Sequence, residues 1–411
     1  MEKLPEGWEK RRLGDVSSVI MGQSPSSSLI NKEGKGLPFL QGNAEFTSKY
    51  PNPTSWIEKP LKTSGKGSIL VSVRAPIGDL NFANSQCCIG RGLASIEANG
   101  FIVDNIFLWY SIHYFINELI KIGQGSTFDA IGRNELRNLC ISLPPLPEQH
   151  KIADILETAD KAIEKTDVII EKYRRIKQGL MQDLLTKGID ENGQIRNEDT
   201  HKFKDSPLGR IPEEWEVAKL GNQIYLNPDR LTCSKNVLIN YIDIESVVDN
   251  KIQVIKSLKI EDAPSRAQRI VKCNDIIVST VRPNLKAFAF ISPKYDNYVC
   301  STGFAVLRAK KDTHPLFLFY LVLYDMIFLK QVLPLIVGSN YPAINCSVLL
   351  NLHIPLPPLP EQHRIASILS QIDEVIEKEE RYKEKLERIK QGLMQDLLTG
   401  KVRVNHLIKE T

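Results

Sequence analysis

The chain repeats itself, and this repeat limits what it can fold into more than any other feature. Fourteen residues, Leu143-Pro-Pro-Leu-Pro-Glu-Gln-His-Lys-Ile-Ala-Asp-Ile-Leu156, return 213 positions later as Leu356-Pro-Pro-Leu-Pro-Glu-Gln-His-Arg-Ile-Ala-Ser-Ile-Leu369, with two changes. Arg175-Ile-Lys-Gln-Gly-Leu-Met-Gln-Asp-Leu-Leu-Thr186 recurs unchanged at Arg388–Thr399 with the same offset. Fainter echoes link Leu4-Pro-Glu-Gly-Trp8 to Ile211-Pro-Glu-Glu-Trp215, Gly125-Ser126 and Ala130-Ile131 to Gly338-Ser339 and Ala343-Ile344, and Val73-Arg74 to Val281-Arg282. An internal period of this kind makes the repeat the structural unit. Drift after a duplication would blur all segments alike. Here the helical segments stayed the same and the modules diverged, so the helices perform one task twice and the modules perform two tasks.

The organisation read from this is a first module over 1–146, a helix over 147–187 and a linker over 188–207, then a second module over 208–359, a helix over 360–400 and a tail over 401–411. At 411 residues the chain has room for two cores. With 42% hydrophobic residues it is expected to fold almost throughout.

Each Leu-Pro-Pro-Leu-Pro opens a helical pattern, with Pro147 and Pro360 at the first helical position and Glu148 and Glu361 favouring its positive end. Apolar residues then alternate at spacings of four and three. The first seam reads Ile152, Leu156, Ala159, Ile163, Thr166, Ile170, Tyr173, and the second Ile365, Leu369, Ile372, Ile376, Glu379, Lys383, Leu386. This is a coiled-coil period, which predicts two long helices packed antiparallel. The apolar pattern implies a one-residue phase shift at Ile176 and Ile389, continuing through Leu180, Leu184 and Leu393, Leu397 to C-terminal stops at Gly188 and Gly400. Glu379 and Lys383 read either as a register-fixing pair or as a solvated stretch.

The unchanged octet places Leu180, Met181, Leu184 and Leu185, and again Leu393, Met394, Leu397 and Leu398, in adjacent turns. One seam does not use them all. Two copies of one partner, docked with pseudo-twofold symmetry, are expected there; core packing against the nearby module is the alternative.

Each module mixes strand-like runs (Ile69 to Val73; Ile276 to Val281) with helical ones (Ile106 to Ile122; Leu316 to Leu333). The expected fold class is therefore α+β (mixed α/β), a pseudo-twofold tandem repeat with two recognition domains separated by two antiparallel coiled-coil helices. Charges of +2 over 1–146 and +4 over 208–359 are too small to blanket phosphates, so nucleic-acid binding would rest on placed contacts. Candidates are Gln23 and Ser24 in one Gly/Ser/Pro loop, and Gln124, Ser126 and Thr127 in another, with Ser339, Asn340 and Tyr341 as counterparts of the latter. Amides and hydroxyls pair with base edges, although polar turns use the same residues. Arg74, Arg91, Arg133, Arg230, Arg282 and Lys286 are the candidate phosphate or guanine contacts, against the ordinary reading as surface ion-pair partners.

Several chemistries lack their motifs. Gly34-Lys35 and Gly65-Lys66 lack the rest of a phosphate-binding loop. Asn52-Pro-Thr-Ser and Asn227-Pro-Asp-Arg lack the second proline and aromatic of an amino-methyltransferase site. His150 and His363 have no partner at metal spacing and read as structural. Seven cysteines without a C-x-x-C pair read as buried thiols in a reducing cytoplasm. The N-terminus has no secretory pattern, and Asp325 and Lys330 interrupt the most apolar stretch, Leu316 to Val337, so a buried helix rather than a membrane span is expected.

Taken together, the repeated Leu-Pro-Pro-Leu-Pro-Glu-Gln-x-x-Ile-Ala-x-Ile-Leu and Lys-Gln-Gly-Leu-Met-Gln-Asp-Leu-Leu-Thr, after two unlike modules, resemble the specificity subunits of Type I restriction-modification enzymes. Trp8–Gly14 and Trp215–Gly221 (Trp-x-x-x-x-Leu-Gly), Val71-Ser-Val-Arg-Ala-Pro-Ile-Gly78 and Ser301-Thr-Gly-Phe-Ala-Val-Leu307 also look familial. The resemblance implies a non-catalytic chain whose two domains each read half of a bipartite double-stranded DNA target, with the helices setting the gap. It implies two modification (methyltransferase) subunits using S-adenosylmethionine, and restriction (translocase/nuclease) subunits using ATP and Mg, with no cofactor on this chain. A coiled-coil scaffold joining two modules that do not bind DNA is the rival reading.

Overall fold

The computed structural model describes residues 4–123, 130–232, 237–338 and 342–408. It divides into two units, Met1–Val168 with Glu380–Thr411, and Ile169–Glu379. Two helices contribute to both units: Leu146–Thr186, of 41 residues, and Leu359–Leu398, of 40. At 1.5 Å per residue each is about 60 Å long.

Within each unit the helices run antiparallel. In the first, Asp160 bonds Lys390 and Asp167 bonds Lys383, so one helix ascends as the other descends. In the second, Lys177 bonds Asp373, and Arg364 reaches the Asp190 carbonyl just beyond the first helix. The expected phase shift does not occur. Four-three spacing continues unbroken through Tyr173, Lys177, Leu180 and Leu184, and through Leu386, Lys390, Leu393 and Leu397, all buried or half-buried. Ile176 and Ile389 face solvent. The apolar pattern misleads here because a carboxylate and a tyrosine ring neutralise and cover each seam lysine. Lys383, expected beside Glu379, binds Asp167 at 2.7 Å. Both helices end on left-handed glycines, Gly188 (φ 66°) and Gly400 (φ 79°).

The two modules share one frame. In the first unit an antiparallel sheet has the order Ser17–Met21, Leu93–Ala98, Ile69–Ser72, Leu80–Phe82. The second unit repeats it as Ile224–Leu226, Phe304–Ala309, Ile276–Ser279, Phe288–Phe290. Strand alternation explains the continuous apolar runs. Ile69 and Val71 pack with helix Asn105–Gly123, while Leu70 faces the other way onto Leu40 and Ile89 of a second sheet. Ile276 and Val278 against Ile277 divide in the same manner. The second sheets also correspond. Leu37–Leu40 runs parallel to Cys87–Ile89, as Leu238–Ile242 runs parallel to Val299–Ser301.

Three expectations change. The apolar stretch after Leu316 is not one helix: Pro315–Leu323 stops where Tyr324 turns extended, and short pieces follow at Leu329–Val332 and Leu333–Leu335. Strand Phe203–Ser206 pairs with Gly209–Pro212, so ordered structure of the second module reaches into the expected linker. Cys87, Cys88 and Cys300 are buried, but Cys140, Cys273 and Cys346 are only half-buried, and Cys233 lies outside the described residues. Among the described residues no helix is long and apolar enough to cross a membrane.

Candidate nucleic-acid interface

The scaffold beneath the candidate surface explains why the Glu-Gln of the repeated motif occurs twice. Glu148 is 1% exposed and accepts the Trp8 indole N–H at 3.1 Å, two Arg403 guanidinium bonds at 2.8 Å each, and the Val404 amide at 3.3 Å. Glu361, 3% exposed, accepts Trp215 at 3.2 Å, Arg196 at 2.5 and 3.2 Å, and the Ile189 amide at 2.9 Å. A buried carboxylate is tolerable only when so satisfied. Burial works against the Arg196 charge, but the Glu361 bonds and charge more than offset it and its pKa is raised; Arg403 is raised chiefly by its Glu148 bonds. Neighbouring Gln149 bonds the Pro144 and Ile102 carbonyls and the Asp104 amide, and Gln362 does the same with Pro357, Asp312 and His314. Each pair thereby ties a module to the start of its helix.

A second repeated device joins module to seam. Tyr110 donates to Asp160 at 2.6 Å while Lys390 bonds that carboxylate and lies over the ring; Tyr320, Asp373 and Lys177 form the same triad, with a 2.8 Å phenol bond. Burial and the adjacent carboxylate hold both phenols above their usual pKa.

These attachments settle the fate of the octet side chains. Leu184 and Leu185 are buried in the second unit's core, with Leu180 and Met181 packed against it. Met394, Leu397 and Leu398 are buried in the first unit's core, with Leu393 against it. Core packing, the alternative reading, thus accounts for the five buried side chains Leu184, Leu185, Met394, Leu397 and Leu398, while Leu180, Met181 and Leu393 remain half-buried at the edges of their own units' cores.

In the first unit, the described candidates gather at one end of the four-stranded sheet. Gln23 and Ser24 follow strand Ser17–Met21, Arg91 precedes Leu93, and Arg74 follows Ile69–Ser72. Val73 donates its amide to Gly92 and accepts the Ile131 amide, and Arg133 opens the short helix two residues on. Gln23, Arg74, Arg91 and Arg133 are exposed. Ser24 Oγ accepts from Gln41 Nε2 at 2.8 Å and from the Arg91 amide at 3.2 Å. Gln41, missed in the sequence, organises this corner. A Cβ on Gly90 would sit 2.7 Å from its Oε1, and one on Gly22 would lie 2.1 Å from the Gly90 carbonyl, so the glycines allow a close backbone approach. The signal available beforehand was Gly90-Arg91-Gly92.

The second unit repeats the backbone with different side chains. Strand pairing makes Gln41 equivalent to Asp243, Gly90-Arg91-Gly92 to Ser301-Thr302-Gly303, and Ser72 to Ser279. It also moves the expected correspondence by one residue. Thr280 takes the place of Val73, bonding Gly303 and Ile344, and Val281 pairs with Ala343 as Arg74 pairs with Ala130. Arg282 is thus an extra position, exposed and left-handed (φ 48°), with its amide on the Pro342 carbonyl. Lys286 is engaged by Asp325 at 2.6 Å and Arg230 by Gln268 at 2.9 Å. Asp243 is held below its ordinary pKa: burial opposes this, but Lys256 and Ser246 outweigh it. Gln124, Ser126, Thr127, Ser339, Asn340 and Tyr341 lie outside the described residues. Among the described residues no three His, Cys, Asp or Glu side chains gather as metal ligands.

Two copies of one mixed α/β frame, with differently furnished sheet ends and a matched set of helix anchors, define a tandem-repeat, two-domain scaffold. The chain belongs to the family described as the Type I restriction modification DNA specificity domain, which matches residues 5–172 and again 212–388. It is 30% identical over 424 aligned positions to the Type I restriction enzyme MjaVIII specificity subunit of Methanocaldococcus jannaschii, covering 98% of this chain and 95% of that one. It is 46% identical over 186 residues to the putative MjaX specificity subunit of the same organism, a match spanning 45% of this chain and less than half, 44%, of that relative. The fold is shared with a crystal structure of a Type I restriction-modification S subunit from M. genitalium, at a TM-score of 0.59 and 16% identity over 97% of this chain and 98% of that one.

Proposed function

We propose that this chain is the sequence-reading, non-catalytic subunit of a Type I restriction-modification complex, in which each recognition domain reads one half of a bipartite, asymmetric double-stranded DNA target. The observation that carries this reading is the contrast between matched and unmatched positions. The Glu–Arg–Trp and Lys–Asp–Tyr anchors recur in both units, while Gln41, Arg74 and Arg91 face Asp243, Val281 and Thr302 at equivalent places. A constant frame with altered donors and acceptors suits two different half-sites, since base edges are told apart by such patterns. Exposed arginines beside them suit phosphate or guanine.

In this reading the long helices set the gap between half-sites, and two modification subunits dock on them, with restriction subunits joining through these. S-adenosylmethionine, ATP and Mg belong to those partners; this chain holds no cofactor. It works in the cytoplasm, where its DNA is, and not in a membrane. The test is methylation sequencing of DNA from cells expressing this chain with its modification subunit, compared with cells lacking the chain. A gapped motif appearing only with the chain is the expected result. Exchanging residues 208–359 should change one half-site, and a four-residue insertion in a helix, about 6 Å of rise, should alter the gap. Unchanged methylation despite an intact complex would favour the coiled-coil scaffold that binds no DNA.

A further inference from the structure

At the sheet end that carries the candidate contacts, each unit has a hairpin loop whose apolar residue meets a different fate. In the first unit the loop is closed by the Ser72 amide on the Asp79 carbonyl at 2.9 Å, and in the second by the Ser279 amide on the Ala287 carbonyl at 3.2 Å. Counting back two residues from each closing carbonyl pairs Ile77 with Leu285. Ile77 is half-buried against the first unit's core. Leu285 is 67% exposed and lies outside the second unit's apolar clusters.

The helices behind the loops account for the difference. Helix Asn105–Gly123 continues past Tyr110 through Ile116 and Ile120, and a Cβ on Gly78, beside Ile77, would lie 3.3 Å from both. Helix Pro315–Leu323 ends three residues past Tyr320, the counterpart of Tyr110, and does not supply that wall to Leu285. The second loop is nevertheless held. Arg282 donates its amide to the Pro342 carbonyl at 2.7 Å, Leu285 to Arg282 at 2.9 Å and Lys286 to Pro283 at 3.0 Å, and the Lys286 ammonium bonds Asp325 at 2.6 Å. Leu285 therefore projects from a pinned turn that also carries the exposed Arg282. Val337, exposed as well, adjoins this turn, since Val337 and Val281 both pair with Ala343.

A lone exposed leucine is common on protein surfaces. Its place is what matters here, because a leucine pressed against phosphates or against the nitrogen and oxygen edges of bases would strip their water without replacing it. Thymine is the one base whose major-groove edge carries an apolar group, the 5-methyl. We propose that Leu285 senses a thymine of the second half-site through that methyl group, with Arg282 beside it supplying the positive charge that favours the duplex. The proposal rests on the specificity-subunit reading and deepens it by naming a base that the second module requires and the side chain that detects it. Ile77, packed on its own core, leaves the first module without this device.

The experiment is competition binding by the full chain in complex with its modification subunit, once methylation sequencing has given the target and exchange of residues 208–359 has assigned the second half-site. Duplexes carry deoxyuridine in place of thymidine at one position at a time, which removes the methyl group and nothing else. One position in the second half-site should then weaken binding about fourfold, the loss of one buried methyl. Leu285→Ala should weaken binding to the thymidine duplex about fivefold and abolish the difference between thymidine and deoxyuridine at that position, at unchanged Tm. Leu285→Met, apolar and as long, should keep the difference. A second half-site without thymine on either strand, no position at which deoxyuridine matters, or undiminished discrimination by Leu285→Ala overturns the proposal and leaves the proposed function intact. Loss of the modification subunit from Leu285→Ala in native mass spectrometry, with discrimination retained, overturns it in favour of a protein contact. If the wild-type complex selects no duplex at all, the functional reading falls and the proposal with it.

Discussion

Replacing Arg196 by methionine keeps the length of the side chain but removes the counter-charge of a carboxylate that is 3% exposed. Arg196 itself is buried, with 8% of its side chain accessible, and makes a two-pronged contact with Glu361. Water cannot take over. Glu361 would keep the Trp215 indole and Ile189 amide, two neutral donors in place of a charge-assisted fork. Removing one partner of such a buried pair costs roughly 3–5 kcal/mol. In the first unit Arg403 leaves 28% of its side chain in contact with solvent, so water partly replaces it, and Arg403→Met should cost less, about 1–3 kcal/mol. Neutralising both partners, as Arg196→Met with Glu361→Gln, should recover about half the loss, because no charge is then stranded. Hydrogen exchange in graded urea reads each unit separately, which matters because two units need not unfold in one step. Amides of strand Ile276–Ser279 should lose protection in Arg196→Met, and those of Ile69–Ser72 less so in Arg403→Met. A cost below about 1 kcal/mol for Arg196→Met, or a larger cost for Arg403→Met, would show that the clamp is not governed by burial of the carboxylate.

Other outcomes follow from the same geometry. Gly188→Ala should destabilise the second unit by about 2–4 kcal/mol in urea titration, since φ is 66° and a Cβ would lie 2.2 Å from Glu361 Oε1 and 2.4 Å from the Trp215 ring. Tyr110→Phe and Tyr320→Phe should each cost about 1.5–3 kcal/mol by lost bonds to Asp160 and Asp373, read by the same titration. His314 caps helix Pro315–Leu323 by accepting the Phe317 amide on Nδ1, and burial, then His363, lowers its pKa. A histidine depressed in the folded state takes up its proton in the unfolded chain first, so its stabilisation is full above about pH 6.5 and declines as pH falls below that. His314→Asn should keep the cap and flatten this part of the pH profile of urea unfolding. Arg91→Ala should alter methylation at one half-site and leave the other unchanged.

Much of the scaffold was legible in the residues. The repeat, the four-three seam, the glycine stops and the strand runs around Ile69 and Ile276 are local patterns, and local geometry decides them. The candidate surface was legible in part. Gln23, Ser24, Arg74 and Arg91 belong to one sheet end, but Gln41 carries no signal of its own and joins them only because Leu37–Leu40 lies parallel to Cys87–Ile89. The apparent match of Val73-Arg74 with Val281-Arg282 was one residue off, because backbone pairing to Ala130 and Ala343, not residue identity, defines the equivalence.

By itself the sequence determined that two modules share one design and that long helices link them, since periodicity and repetition need no knowledge of neighbours. Only the tertiary structure decided which face of each helix is used and by what. Lys177 and Lys390 belong in the seam because Asp373 and Asp160 meet them from the other helix, and Ile176 and Ile389 are left outside. Glu148 and Glu361 look like ordinary helix-start acids until Arg403 and Arg196 arrive from distant positions to neutralise them. A charge can be buried only where another chain segment brings its partner, and that meeting is a property of the fold rather than of any stretch of residues.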